Sequence, residues 1–92
     1  MKEAEIEKKV CAHATERGIL NFKFVSPTCR AVPDRIFFTR SGHCFLIEFK
    51  APGKSPRPDQ VRMIDKLRSQ NVEVYVIDGV DSGIKLVNRY AD

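Results

Sequence analysis

The chain has 92 residues, 42% hydrophobic and 30% charged, with a net charge of +4 and a pI near 9.2. That length suits one small domain, 1–92, burying roughly 60–65% of its unfolded surface, and no apolar run approaches the roughly 20 residues of a membrane-spanning helix. The opening MKEAEIEKKV alternates acids and bases, unlike a signal peptide, so a soluble cytoplasmic protein is expected.

Ile6, Val10 and Ala14 recur every four positions, which predicts a helix over 3–17 capped by Gly18. NFKFVS, 21–26, alternates and carries aromatics, so it reads as a strand. PTCRAVP is a turn-rich connection. DRIFFTR, 34–40, and CFLIEFK, 44–50, are two further strands, and the short Ser41–Gly42 link makes them an antiparallel hairpin. APGKSPRP, with three prolines and one glycine, is irregular.

Pro58 suits the first turn of a second helix, with Val61, Ile64 and Leu67 as its buried stripe. VEVYVI, 72–77, returns after that helix and should lie parallel to the third strand through a right-handed crossover. DSGIKLVNRY suggests a short final helix capped by Asp81 or Ser82. The fold class is α/β: an αβββαβ core, with a mixed central sheet flanked by helices.

Three cysteines, Cys11, Cys29 and Cys44, lack disulfide-like spacing and fit a reducing compartment. His13 and His43 lie near two of them, which raises zinc. On a helix, however, Cys11 and His13 point to different sides, and adjacent Cys44 and His43 take opposite faces of a strand. Small core thiols and surface histidines are the better account.

Charge interrupts the third strand in a way a core does not require. Glu48 and Lys50 share one face, about 7 Å apart along the strand, while Phe45, Ile47 and Phe49 take the other. Counting back through the hairpin turn sets Asp34 beside them. A plain ion pair of Lys50 with either acid is one account, but a partly buried pair is weak evidence of stabilisation. Two carboxylates held together repel unless a cation or proton lies between them. A hard divalent ion, Mg²⁺ or Mn²⁺, answers that conflict.

Pro33-Asp34 followed by Glu48-Phe49-Lys50 resembles the PD-(D/E)XK nuclease motif. The longer pattern, SPTCRAVPDRIFF with FLIEFKAPGKSPRPDQ, is similar to the VRR-NUC (virus-type replication-repair nuclease) family across roughly 5 to 77. One departure is Ala31, where the family often has glycine two residues before the PD pair. The resemblance implies a restriction-endonuclease-like fold and a metal-dependent DNA endonuclease. Asp34, Glu48 and the backbone carbonyl of Phe49 would bind the metal. Lys50 would orient the attacking water and stabilise phosphate charge. Glu7 would be the helix acid, with Glu3 and Glu5 as alternatives, and Gln60 would touch the site.

Six basic residues, Lys50 and Arg68 included, fall in the stretch from 50 to 68. Alone they describe an ordinary solvated face; beside a nuclease site, Lys54, Arg57, Arg62 and Lys66 become candidate DNA contacts. With no second DNA-reading domain expected, selection by DNA shape follows. Free-standing members of the family resemble Holliday-junction resolvases acting as homodimers, so branched DNA is the expected substrate. Flap or nicking activity, RNA cleavage and a catalytically silent nucleic-acid-binding module stay open.

Overall fold

The computed structural model describes residues 1–91. The elements run α1 (Glu3–Glu16), β1 (Leu20–Lys23), β2 (Arg35–Phe38), β3 (Cys44–Phe49), α2 (Pro58–Ser69), β4 (Glu73–Ile77) and α3 (Val80–Tyr90). The strands form one sheet in the order β1-β2-β3-β4, in which β3 and β4 are parallel and the other pairs antiparallel. The expected core order is therefore present.

Local chemistry explains where the boundaries differ. The ladder between β1 and β2 pairs Leu20–Lys23 with Arg35–Phe38, and one further bond, from the Phe24 N–H to the Asp34 carbonyl at 2.9 Å, extends it past Arg35. The hairpin loop is Arg40-Ser41-Gly42, longer than a two-residue link: Thr39 donates its N–H to the His43 carbonyl at 2.9 Å, and Gly42 sits at φ 89°. A three-residue hairpin needs such a left-handed position, which glycine adopts without steric cost. The last helix is eleven residues long and starts at Val80, with Gly79 at its N-cap. Neither Asp81 nor Ser82 is the cap; Ser82 Oγ donates back to the Gly79 carbonyl. Starting earlier lets Val80 join the core with Leu86 and Val87.

Strand alternation divides the side chains between two layers. On one face, Phe37, Phe45, Ile47, Phe49 and Ile77 pack against Ile6, Val10 and Ala14 of α1 and Leu86 and Val87 of α3. Each fully buried phenylalanine there contributes roughly 1.5–3 kcal/mol relative to exposure. On the other face, Leu46 and Val74 meet Ile64 of α2. Val61 is not part of that contact: it is 42% exposed, whereas Gln60 is 6% exposed. Ile64 and Leu67 set which side of α2 faces inward, and one turn earlier either 60 or 61 could complete the stripe. Gln60 takes the position because it finds a polar partner below it.

Helix α2 covers β3 and β4, with Ile36 of β2 packed at the edge of that cluster, and leaves the rest of β1 and β2 uncovered on its side, where Leu20, Phe22 and Phe38 are 63%, 54% and 39% exposed. Cys44, expected in the core, is exposed on this face, while Cys11 is buried. Arg68 donates from Nε and Nη2 to the Val74 carbonyl at 3.2 and 2.6 Å, tying α2 to β4.

Helices α1 and α3 meet at Gly83, where a Cβ would come 2.4 Å from Val10 Cγ2. Gly83→Ala should therefore cost about 1–3 kcal/mol of stability by forcing the helices apart. A urea midpoint equal to that of the parent would show that the contact spreads freely.

Candidate active site

Asp34 stands just before β2 and Glu48 one residue before the end of β3. The pairing sets Arg35 across from Ile47, so Asp34 lies across from Glu48. Opposed residues project from the same face, here the one α2 covers. Phe49 N–H donates to Asp34 Oδ2 at 2.8 Å, which fixes this carboxylate to the neighbouring strand.

Glu48 is 2% exposed. Its Oε2 accepts hydrogen bonds from Gln60 Nε2 at 2.9 Å and Lys50 Nζ at 3.2 Å. Its Oε1 is buried and, among the described residues, has no hydrogen-bond partner. An unsatisfied buried acceptor costs roughly 1–3 kcal/mol, more when charged, so this oxygen is retained at the expense of stability.

Gln60 is anchored at both ends. Its Oε1 accepts the Arg57 N–H at 2.9 Å, closing the first turn of α2. That leaves its amide N–H group to face Glu48. The expected contribution of Gln60 thus takes a specific form: it holds Glu48 to the start of α2.

The electrostatics follow from the crowding. Burial raises Glu48 above the usual carboxylate range, and the Asp34 charge adds to this, against the hydrogen bond and charge of Lys50. Burial also raises Asp34; the Phe49 N–H opposes it, and the charges of Glu7 and Glu3 reinforce it. The Asp34 charge thus makes Glu48 harder to ionise, and the nearby Lys50 offsets only part of the cost at either acid.

The helix acid is less simple. Glu7 lies near enough to act on Asp34, but its Oε2 is 2.7 Å from Arg35 Nε, an ion pair on the α1 side of the sheet. Glu3, one turn earlier, raises both Asp34 and Glu48. It is the α1 acid that both site carboxylates feel. A sequence signal was available: Glu3, Ile6 and Val10 follow helical spacing along the inward edge. The Arg35 partner of Glu7 was legible only once β2 and α1 were packed together.

Among the described residues, no group of three His, Cys, Asp or Glu side chains is close enough to hold a metal ion by itself. The pair nonetheless fits a hard cation. Both donors are carboxylates, each is destabilised when ionised, and Glu48 Oε1 lacks a protein partner. Asp34, Glu48 and the Phe49 carbonyl are the groups available to hold it.

The basic flank is exposed. Lys54 lies in the connection before α2, and Arg62 and Lys66 lie one turn apart on the outer side of the helix. Arg57 is also exposed, with Nε 3.2 Å from Asp59 Oδ1. Arg68 is committed to the Val74 carbonyl and is not part of this surface.

Comparison with known proteins identifies the fold and the family. A solved structure described as a VRR_NUC domain shares the fold with a TM-score of 0.89, covering 98% of this chain and 98% of that one at 23% identity. A curated protein of Acyrthosiphon pisum secondary endosymbiont phage 1, named "Putative nuclease p44", is 37% identical over 81 residues, which span 88% of this chain and 87% of that protein. The VRR-NUC domain profile matches residues 3–81. The chain belongs to the VRR-NUC family.

Proposed function

We propose that this protein is a metal-dependent DNA endonuclease, selective for branched DNA such as a Holliday junction, and that it acts as a homodimer. The coarser statement, a nuclease, comes with the family. The observation that carries the finer one is the juxtaposition of Asp34 and Glu48 on one sheet face, with Lys50 Nζ 3.2 Å from Glu48 Oε2.

Asp34, Glu48 and the Phe49 carbonyl would hold Mg²⁺ or Mn²⁺. When bound, such an ion neutralises charge on the scissile phosphate and lowers the pKa of water. Gln60 keeps the Glu48 carboxylate from rotating. Lys50 supplies the positive charge that moves between Glu48 and the phosphate as charge develops there. Glu3, with Glu7 behind it, adds negative charge on the α1 side and favours a cation at the pair.

Lys54, Arg57, Arg62 and Lys66 would receive the phosphate backbone. Such contacts position DNA without reading its bases, which favours recognition by shape. The uncovered Leu20, Phe22 and Phe38 supply an apolar surface suited to a second copy. A two-fold pair would offer two sites to a near-symmetric branch.

Purified protein should cut four-way DNA faster than flap, single-stranded, linear or RNA substrates when Mg²⁺ or Mn²⁺ is supplied. Lys50→Ala should lower that rate by about 10²–10³-fold or more while leaving the circular dichroism spectrum intact; cutting at the parental rate would remove Lys50 from the mechanism. Phe22→Lys should shift the sedimentation coefficient from dimer to monomer, and an unchanged value would place the interface elsewhere.

Metal binding has a separate readout. The ion should stabilise the parent by about 2.7 kcal/mol at a hundredfold excess over Kd, and Asp34→Asn should abolish that gain. Without metal the sign reverses. A folded-state pKa raised above 3.8 means the native chain binds more protons than the unfolded one, so Asp34 lowers stability as pH rises through that window. Asp34→Asn should thus melt higher than the parent at neutral pH, and the gap should close below pH 3.8, where the acid is neutral in both states. Equal melting at neutral pH would contradict this account.

A further inference from the structure

Phe24 lies just beyond β1, and its N–H donates to the Asp34 carbonyl at 2.9 Å. Continuing the pairing of Lys23 with Arg35 makes Phe24 the neighbour of Asp34, as Asp34 is of Glu48. All three project from the same sheet face, in the order aromatic ring, carboxylate, carboxylate. A cavity of about 290 Å³ opens at this point, lined by Phe24, Val25, Val32, Cys29, Arg30 and Asp34. Its wall mixes these apolar side chains with Ser26, Asp34 borders it, and the Arg30 side chain, 90% exposed, reaches outward with Nε 4.0 Å from Asp59 Oδ2.

A site with an aromatic ring in its wall, a carboxylate at one edge and a guanidinium at its mouth matches one part of a nucleic acid. The ring suits the π-face of a base, and the guanidinium suits the phosphate attached to it. We infer that this cavity receives an unpaired nucleobase next to the scissile phosphate, stacked on Phe24. The inference rests on the nuclease reading above and deepens it. Preference for a branch over linear duplex then has a local contribution: a base beside a branch point has lost the stacking continuity of a linear helix, so it is extruded at lower cost than one inside a continuous duplex. Arg30 holds the flanking phosphate, and Asp34 lies one strand away from the base.

Two substrates separate this role from a structural one. Both carry a fixed branch, and they differ in having a base or an abasic residue beside the cleavage position. The parent should cut the base-bearing substrate roughly tenfold faster, the range expected of one stacking contact. Phe24→Leu, which keeps apolar volume against Ile64 and Leu46, should bring the ratio near one while the abasic rate stays constant. Arg30→Ala should weaken binding of both substrates without changing the ratio. A parent ratio of one, or a ratio that survives Phe24→Leu, overturns the inference. Loss of the dimer in Phe24→Leu with an unaltered ratio also overturns it and assigns the ring to subunit contact.

A second measurement is independent of cutting. A single strand carrying 5-iododeoxyuridine, irradiated with the protein in EDTA, should crosslink to Phe24, as located by peptide mass spectrometry. A crosslink confined to other residues counts against the pocket. If no DNA is cut with any metal, the nuclease reading fails while the crosslink still decides the pocket.

Discussion

Burying the Glu48 carboxylate on a strand paired along both edges is the constraint on which the other features depend. Strand β3 cannot shift by one residue, because the slip would send Phe45, Ile47 and Phe49 towards α2 and Glu48 into the α1–α3 core. Helix α2 cannot rotate freely either, because Gln60 bridges Glu48 to the N–H of Arg57. The two hydrogen bonds to Oε2 offset part of the cost of burial, and the unpartnered Oε1 keeps the rest. Stability is traded for a carboxylate with one oxygen held and the other free to bind.

The same constraint explains the division of labour between the faces. The α1–α3 side is dense, with Phe37 and Phe45 rings stacked at 4.8 Å and helices close enough to require Gly83. This side carries the fold. The α2 side is only half covered, with the carboxylates at one end and exposed apolar side chains along β1 and β2. Under the proposed function a small chain has to meet both DNA and a second copy of itself, and the sparsely packed face is the one with apolar and charged side chains left uncovered.

Much of the architecture was legible in the sequence, for reasons that can be named. Period-two alternation in CFLIEFK separates Glu48 from Phe49, and the hairpin turn sets the register that carries Asp34 to Glu48. Both are local rules; the first held, while the second was off by one residue, because the loop spans Arg40–Gly42 instead of Ser41–Gly42 and so sets Asp34 across from Glu48 instead of Phe49. What depended on packing was harder to read. Val61 and Gln60 are equally spaced from the inward side of α2, and only contact with Glu48 favours the glutamine. Glu7 and Glu3 are adjacent turns of one helix, and only the approach of Arg35 separates their roles. The exposed Cys44 shows the same limit: alternation assigns it a face, but not whether a helix covers that face.

The grip of Arg68 on the Val74 carbonyl bears on how copies of the chain can meet. Strand β4 ends the sheet, and residues 74 and 76 turn their backbone groups away from β3, as the inward Ile77 carbonyl indicates. A guanidinium seated on one of those outward acceptors blocks the row of open amides and carbonyls that an incoming strand would need. Lateral growth of the sheet into a continuous ribbon is thereby discouraged at this margin. Strand-to-strand pairing of copies would then fall to the β1 edge, which closes after two chains and cannot propagate.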